Sequence, residues 1–232
     1  MMRVRAVLTE MNWRHAAAEL VLIVLGVTIA LAASSWYEGR QRLRDETALL
    51  EELSGTLSED LEGVSAALNT MRGVNQDMRT LVELFESDEF DPEDREHRRL
   101  IGSLARFTQV RIRTGPFETL KARGLDLVSS RTLRVRLMSL YDDEFPILQE
   151  QTEIDQRLSR EWILPYQVEH FDLKQEGWLL KPQHLQEART MGATLGRYRY
   201  QTLERFYLPA FERNVALMTD ALAEIEAESK VR

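Results

Sequence analysis

Residues 16–33 read AAAELVLIVLGVTIALAA, a run broken only by Glu19 and Thr28. No other feature restricts the fold as much. As a helix the run rises about 27 Å, close to the roughly 30 Å hydrocarbon core of a bilayer. Trp13 precedes it, and Trp36 and Tyr37 follow it. On a helix the two tryptophans stand about 34 Å apart, the spacing of two interfacial aromatic belts. No later window is comparably apolar, so one span over residues 16–35 is expected after a tail of residues 1–15. The competing reading is a cleaved leader. Arg3, Arg5 and Arg14 precede the run, and Ala30-Leu31-Ala32 has the small-x-small form of a cleavage site. Nothing breaks the helix after Ala32, and a leader has no use for an aromatic belt, so a retained anchor is expected.

The two flanks are nearly equal in arginine. Arg3, Arg5 and Arg14 lie before the span; Arg40, Arg42 and Arg44 lie after it, mixed with Glu38, Asp45 and Glu46. A short basic tail stays in the cytoplasm, and a long following domain is translocated largely regardless of charge. The expected topology is therefore an inside N-terminus with the bulk of the chain outside. Within the span, Gly26, Ala30 and Ser34 recur every four residues, a small-residue stripe on which two helix backbones can pack as a homo-oligomer. Glu19 is costly in hydrocarbon unless it is paired or reaches water. Snorkelling towards the Trp13 end, or pairing with His15 one turn earlier, satisfies it.

Composition narrows the function classes. The 232 residues are 44% hydrophobic and carry a net charge of −8, which disfavours bulk nucleic-acid binding, since phosphate backbones demand a positive footprint. With no cysteine, disulfides, thiolate metal sites and cysteine nucleophiles are excluded. Six prolines and 11 glycines are too few for a loop-rich or all-β chain. An all-α architecture follows: the membrane helix running on into a long helix over residues 36–90, then a helical bundle over 91–232.

The long helix is read from period. Leu43, Leu50, Leu57, Val64, Met71, Met78 and Phe85 recur every seven residues, with Thr47, Ser54, Leu61, Leu68, Asn75 and Val82 as a half-polar companion stripe. Gly55, Gly63 and Gly73 are expected to pack closely on a neighbouring helix, offsetting their cost of about 1 kcal/mol each. Asp91 then caps a helix begun by Pro92, with Leu100, Ile101, Leu104 and Phe107 on its buried face. Thr114-Gly115-Pro116 turns into a short helix closed by Gly124 in a left-handed conformation. Ser129 or Ser130 starts a long element reaching His170, which Pro146 and Pro165 should kink or break. Phe171–Pro182 reads as a looser stretch with Trp178-Leu179-Leu180 tucked onto the bundle. The last helix runs from Leu185 to Glu228, interrupted at Gly192 and Pro209.

Charge is segregated. Residues 45–90 hold 12 acids and two bases, whereas residues 98–136 hold ten bases and two acids. The plain reading is complementarity: basic elements lie along the acidic helix and set its register. The sharper reading is an anion site, for a carboxylate or a lipid headgroup, at Arg111, Arg113, Lys121 and Arg123.

Chemistry is sparse. His15, His97, His170 and His184 show no ligand spacing, and no His-Glu-x-x-His occurs. Asp94-Arg95-Glu96-His97 only approaches the Glu-x-x-His of di-metal bundles and has no second copy. No nucleophile elbow, phosphate loop or dinucleotide fingerprint is found. No catalytic residue, metal or cofactor is expected.

Two landmarks carry a resemblance. Glu19, an aliphatic run, Gly26-Val27-Thr28-Ile29-Ala30-Leu31 and then Trp36 form the first; Gly115-Pro116-Phe117-Glu118-Thr119-Leu120-Lys121-Ala122-Arg123-Gly124, leading through Leu127-Val128 and Leu133 to Tyr141, forms the second. Together they resemble an uncharacterised bacterial family of small single-span membrane proteins. Its span reads Gly-Glu, aliphatic residues, Gly-Ile-x-Ile-Ala-Leu and a tryptophan; here Ala18 stands for the glycine and Val27 for the first isoleucine. The resemblance implies a single pass through the bacterial inner membrane and a helical domain, periplasmic on the topology above. It supplies no catalytic residues. The expected function is a membrane-anchored, self-associating helical interaction or structural protein, not an enzyme, whose protein partner the sequence does not name. The alternative is an extracytoplasmic, sensor-like bundle that binds a small anion or lipid headgroup and acts through a partner.

Overall fold

The structure is a computed structural model and describes Trp13–Lys174, Gly177–Lys181 and His184–Lys230, with side chains from Ala17 onward. Two compact units divide the chain, residues 1–48 and 49–232. The first helix, α1 (Trp13–Glu86), contributes to both. Among the described residues it is the one helix long and apolar enough to cross a membrane.

Among the described residues of the unit 49–232, helices joined by loops are accompanied by one small hairpin. Helices α2 (Arg95–Ser103) and α3 (Gly115–Arg123) are short. A continuous helical path then runs through α4 (Arg131–Met138), α5 (Phe145–Leu158) and α6 (Leu164–His170). Strands β1 (Phe171–Lys174) and β2 (Gly177–Leu180) pair antiparallel, Phe171 opposite Leu180. Helices α7 (Leu185–Thr202) and α8 (Leu208–Lys230) complete the unit. Helix α8 packs on α4 and α5, α6 on α7, and β2 on α2.

From residue 49 onward the seven-residue period of α1 delivers the core: Leu50, Leu57, Val64, Met71, Met78 and Phe85 are all buried. Leu43, at the start of the series, is exposed. The deeper second stripe is Leu53, Asp60, Ala67, Val74 and Leu81, three residues on from the first and not four. In the expected companion stripe only Leu68 and Val82 are buried. Both offsets lie on the same side of a helix, and Asp60 in the buried stripe disguised the choice. Gly55, Gly63 and Gly73 do not pack on a neighbour: each is exposed, and a Cβ there would meet nothing within 4 Å. The close approach belongs to Gly192 and Gly196 of α7. A Cβ at Gly192 would come within 2.5 Å of Phe85 Cε2, and one at Gly196 within 2.9 Å of Val82 Cγ2. The glycines that touch α1 are on the partner helix.

Caps fall mostly where composition puts them. Ser130 accepts the Leu133 N–H and starts α4. Helix α2 begins three residues later than Asp91-Pro92 suggests, because Asp94 is its cap, accepting the Glu96 and His97 N–H groups. Asp91 instead accepts the Glu93 N–H in a local turn. Gly124 closes α3 at φ 103°, ψ 127°, so φ is positive as expected, while ψ lies outside the left-handed helical well.

The prolines do not break the helices. Ser139–Glu144, Ser159–Ile163 and Leu203–Tyr207 are π-turns, and a proline follows two residues after each: Pro146, Pro165 and Pro209. In each, the residue before the proline donates its N–H five residues back: Phe145 to Leu140, Leu164 to Ser159 and Leu208 to Leu203. Proline lacks the N–H for the usual bond and its ring presses on the carbonyl four residues earlier. One wide turn ahead of it absorbs both defects, and the chain stays helical. Gly192 likewise leaves α7 uninterrupted. The looser stretch after His170 is the hairpin, with Trp178 reaching Gly102 of α2, as the tucked-in Trp178-Leu179-Leu180 implied.

Candidate functional site

Of the four cations proposed for an anion site, Arg113 and Lys121 have carboxylate partners. The backbone N–H of Arg113 donates to Asp60 Oδ2 at 2.8 Å, and its guanidinium reaches Glu59 Oε2 at 2.5 Å and Asp60 Oδ1 at 3.3 Å. Burial raises the Asp60 carboxyl above its ordinary value, with Arg113 opposing. Lys121 pairs with Asp142 at 3.1 Å, with Glu118 behind at 3.7 Å. Arg111 and Arg123 are exposed. Among the described residues no ion pair or hydrogen bond gives any two of the four a common partner. Lys121 therefore pairs outside the acidic helix, whereas Arg113 serves the complementarity reading, both of its carboxylates lying on α1. Arg99 does the same, holding Asp77 of α1 through two hydrogen bonds of 2.7 and 2.8 Å while Ser103 adds a third at 2.6 Å.

In the unit of residues 1–48, Gly26, Ala30 and Ser34 lie on exposed helix surface. The polar side chains there are satisfied locally: Thr28 donates to the Val24 carbonyl at 2.8 Å and Ser34 to Glu38 at 3.1 Å. Glu19 is exposed; the His15 side chain with which it was expected to pair, and the tail arginines Arg3 and Arg5, lie outside the described residues. Arg40 places its guanidinium over the Trp36 ring, 4.7 Å from the centroid.

Among the described residues the most buried charge is Arg199 of α7, which is completely enclosed. It donates to Asp155 of α5 at 3.0 Å and to the carbonyls of Leu104 and Arg106 in the loop after α2. Burial raises the Asp155 carboxyl, the Arg199 charge opposing it, and lowers the guanidinium, Asp155 opposing that. Tyr207 and Thr108 share a hydrogen bond of 2.8 Å beside it. This network ties the α2–α3 loop to α5 and α7, and its depth marks it as structural.

A second polar cluster lies nearer the surface. The hairpin ladder continues one step beyond Phe171, the Lys181 N–H donating to the His170 carbonyl at 3.0 Å. His170, the last residue of α6, thus stands opposite Lys181, and the chain returns through His184 into α7. His170 is completely buried, and its Nδ1 lies 3.0 Å from the Tyr166 carbonyl. Its Nε2 has no hydrogen-bond partner and lies 3.9 Å from Glu187 Oε2. His184 Nδ1 is 3.7 Å from the same oxygen. The donor atoms of His170, His184 and Glu187 all lie within 4.8 Å of one another. Two imidazole nitrogens and a carboxylate oxygen make a donor set suited to a divalent transition metal. In sequence the two histidines are far apart; only a hairpin over 171–180, joined to a His-x-x-Glu start of α7, could have revealed the cluster.

Compared with protein-family models, with curated proteins and with solved structures, the chain matches none.

Proposed function

We propose that this chain is a single-pass membrane protein whose helical domain works by association and not by catalysis, and that its copies meet through the span. One observation carries the reading. Residues 17–44 are exposed without exception, and they include Leu20, Val21, Leu22, Ile23, Val24, Leu25, Val27, Ile29 and Leu31. A contiguous apolar surface of that length is far larger than water-soluble monomers leave bare. Lipid supplies the missing cover, because a helix satisfies its backbone internally and its side chains here ask for hydrocarbon. The Arg40–Trp36 pair suits the interfacial end, where an indole and a cation both meet headgroups. The basic tail stays in the cytoplasm of a bacterial cell and the unit of residues 49–232 faces the periplasm.

The first test is extraction and sidedness. Full-length chain should remain with membranes through carbonate washing, keep its original N-terminus, and give periplasmic activity to a reporter fused at Arg232. Mature chains that begin near Ala33 would establish a cleaved leader instead. The second test uses the natural lack of cysteine. Single cysteines at Gly26 or Ala30 should crosslink in membranes and one at Leu25, off the stripe, should not; equal crosslinking at all three removes the packing face.

A further inference from the structure

We propose that His170, His184 and Glu187 bind one divalent transition-metal ion, with Zn²⁺ the best match, and that the ion fastens the hairpin to the start of α7.

The argument begins with His170. Its ring is fully enclosed, between Tyr166 (centroids 4.9 Å apart) and His184 (5.3 Å). When Nδ1–H donates to the Tyr166 carbonyl, a neutral imidazole keeps its lone pair on Nε2. A backbone carbonyl on one ring nitrogen is the usual way proteins orient a metal-ligating histidine and fix its tautomer. That nitrogen lies 3.9 Å from Glu187 Oε2 and within 4.8 Å of the His184 donor, yet no hydrogen bond satisfies it. A buried polar atom left in that state costs free energy unless something fills the gap.

The distances fit a cation between the three atoms better than a direct bond. The Nε2–Oε2 separation of 3.9 Å is too long for a hydrogen bond. Zinc bonds of roughly 2.0–2.1 Å at tetrahedral angles put ligand atoms about 3.4 Å apart. The two separations from Glu187, 3.9 and 3.7 Å, need a small contraction to reach that value, and the separation between the two imidazoles, within 4.8 Å, closes as His184 moves in. The movable partners are on the outside. Glu187, on the first turn of α7, is exposed and His184, the residue just before α7, is partly so, while His170 is held by the core.

Donor type selects the ion. Imidazole nitrogen suits zinc, copper, nickel and iron, whereas calcium and magnesium prefer all-oxygen shells. Three protein ligands leave a tetrahedral ion one position for water on the exposed side. The competing arrangement is a direct His170–Glu187 contact, which has the same atoms but no demand for a metal.

The test uses full-length chain in detergent, purified without a histidine tag and stripped with chelator. Titration with Zn²⁺ by calorimetry, and with Co²⁺ by visible absorption, should show one ion per chain and a tetrahedral cobalt spectrum. Because replacing His170 risks unfolding, the diagnostic variants are His184→Ala and Glu187→Gln, each expected to weaken binding by at least about tenfold, the scale seen when support of a metal site is lost. Zn²⁺ should raise the melting temperature of the wild type and not of His184→Ala. His97→Ala, on α2 with its Nδ1 3.0 Å from the Asp91 N–H, should bind as the wild type does. Absence of saturable binding, undiminished affinity in both diagnostic variants, or loss of binding in His97→Ala each overturns the site.

Discussion

Gly192 faces Phe85 so closely that a methyl group on its α-carbon would stand 2.5 Å from Phe85 Cε2. The Tyr166 hydroxyl, which donates to the Ala188 carbonyl at 2.7 Å, crowds the same position. Both rings are buried and cannot swing aside. Gly192→Ala gains about 1 kcal/mol of helix propensity but overpacks the core, which typically costs about 1–3 kcal/mol. Overpacking should win, so the variant unfolds at lower urea than the wild type with an unchanged slope. Equal or higher stability would mean that α7 does not sit this close to α1.

The glycines of α1 carry the opposite sign. Gly55, Gly63 and Gly73 are exposed, and a Cβ at each meets nothing within 4 Å. Alanine there removes backbone freedom from the unfolded chain without a steric penalty. Each substitution should stabilise by about 0.5–1 kcal/mol, and the triple variant by nearly the sum, because separated sites add. Chemical denaturation of the three single variants and the triple checks both the sign and the additivity.

Arg199 and Asp155 form a pair that tolerates replacement together better than apart. Removing one member of a buried ion pair leaves the other unsatisfied and costs about 3–5 kcal/mol. Arg199→Met should therefore destabilise strongly, since it also strips the Leu104 and Arg106 carbonyls of a donor. Adding Asp155→Leu should recover part of the loss, as buried pairs exchanged for apolar residues often prove neutral. Arg199→Lys should not rescue, because a single ammonium cannot reproduce the fork that spans a carboxylate and two carbonyls. A double variant less stable than Arg199→Met alone would show that Asp155 is satisfied without Arg199.

These contrasts explain how much was legible in the residues. The core stripe of α1 was, because Leu50 to Phe85 repeats without a gap and burial follows period. Its second stripe was not, because Asp60 occupies a buried position that polarity alone assigns to solvent. The caps at Ser130 and Gly124 were visible as residue types, whereas the choice of Asp94 over Asp91 depends on which carboxylate meets the free N–H groups. Pro146, Pro165 and Pro209 signalled a defect correctly, but sequence carries no sign of whether a helix ends or widens by one residue. The charge segregation around Arg113 was visible, but not that Arg113 is engaged by Glu59 and Asp60, more than fifty positions away. His170 and His184 meet only because strands of four residues fold back on each other, too short to show alternation.

Asp77 gives the domain a pH signature of known sign. Burial works to raise its carboxyl, but hydrogen bonds from Arg99 and Ser103 and the charges of Arg99 and Arg106 outweigh it and hold the group below its ordinary value. A carboxyl lowered on folding binds its proton less readily in the native state than in the unfolded one. Its contribution is then fully present above the ordinary carboxylate range and is lost as pH falls through the lowered native value. Asp60 and Asp155 are raised on folding and act in the opposite sense, their share being present at low pH and lost as pH rises. Comparing wild type with Asp77→Asn isolates the first group. The gap in melting temperature should be widest near neutral pH, roughly pH 7, and close progressively below about pH 4, because asparagine keeps a partner for Ser103 but offers Arg99 no charge. A gap that is constant across that range, or that widens in acid, would show that the Arg99–Asp77 contact does not perturb the carboxyl.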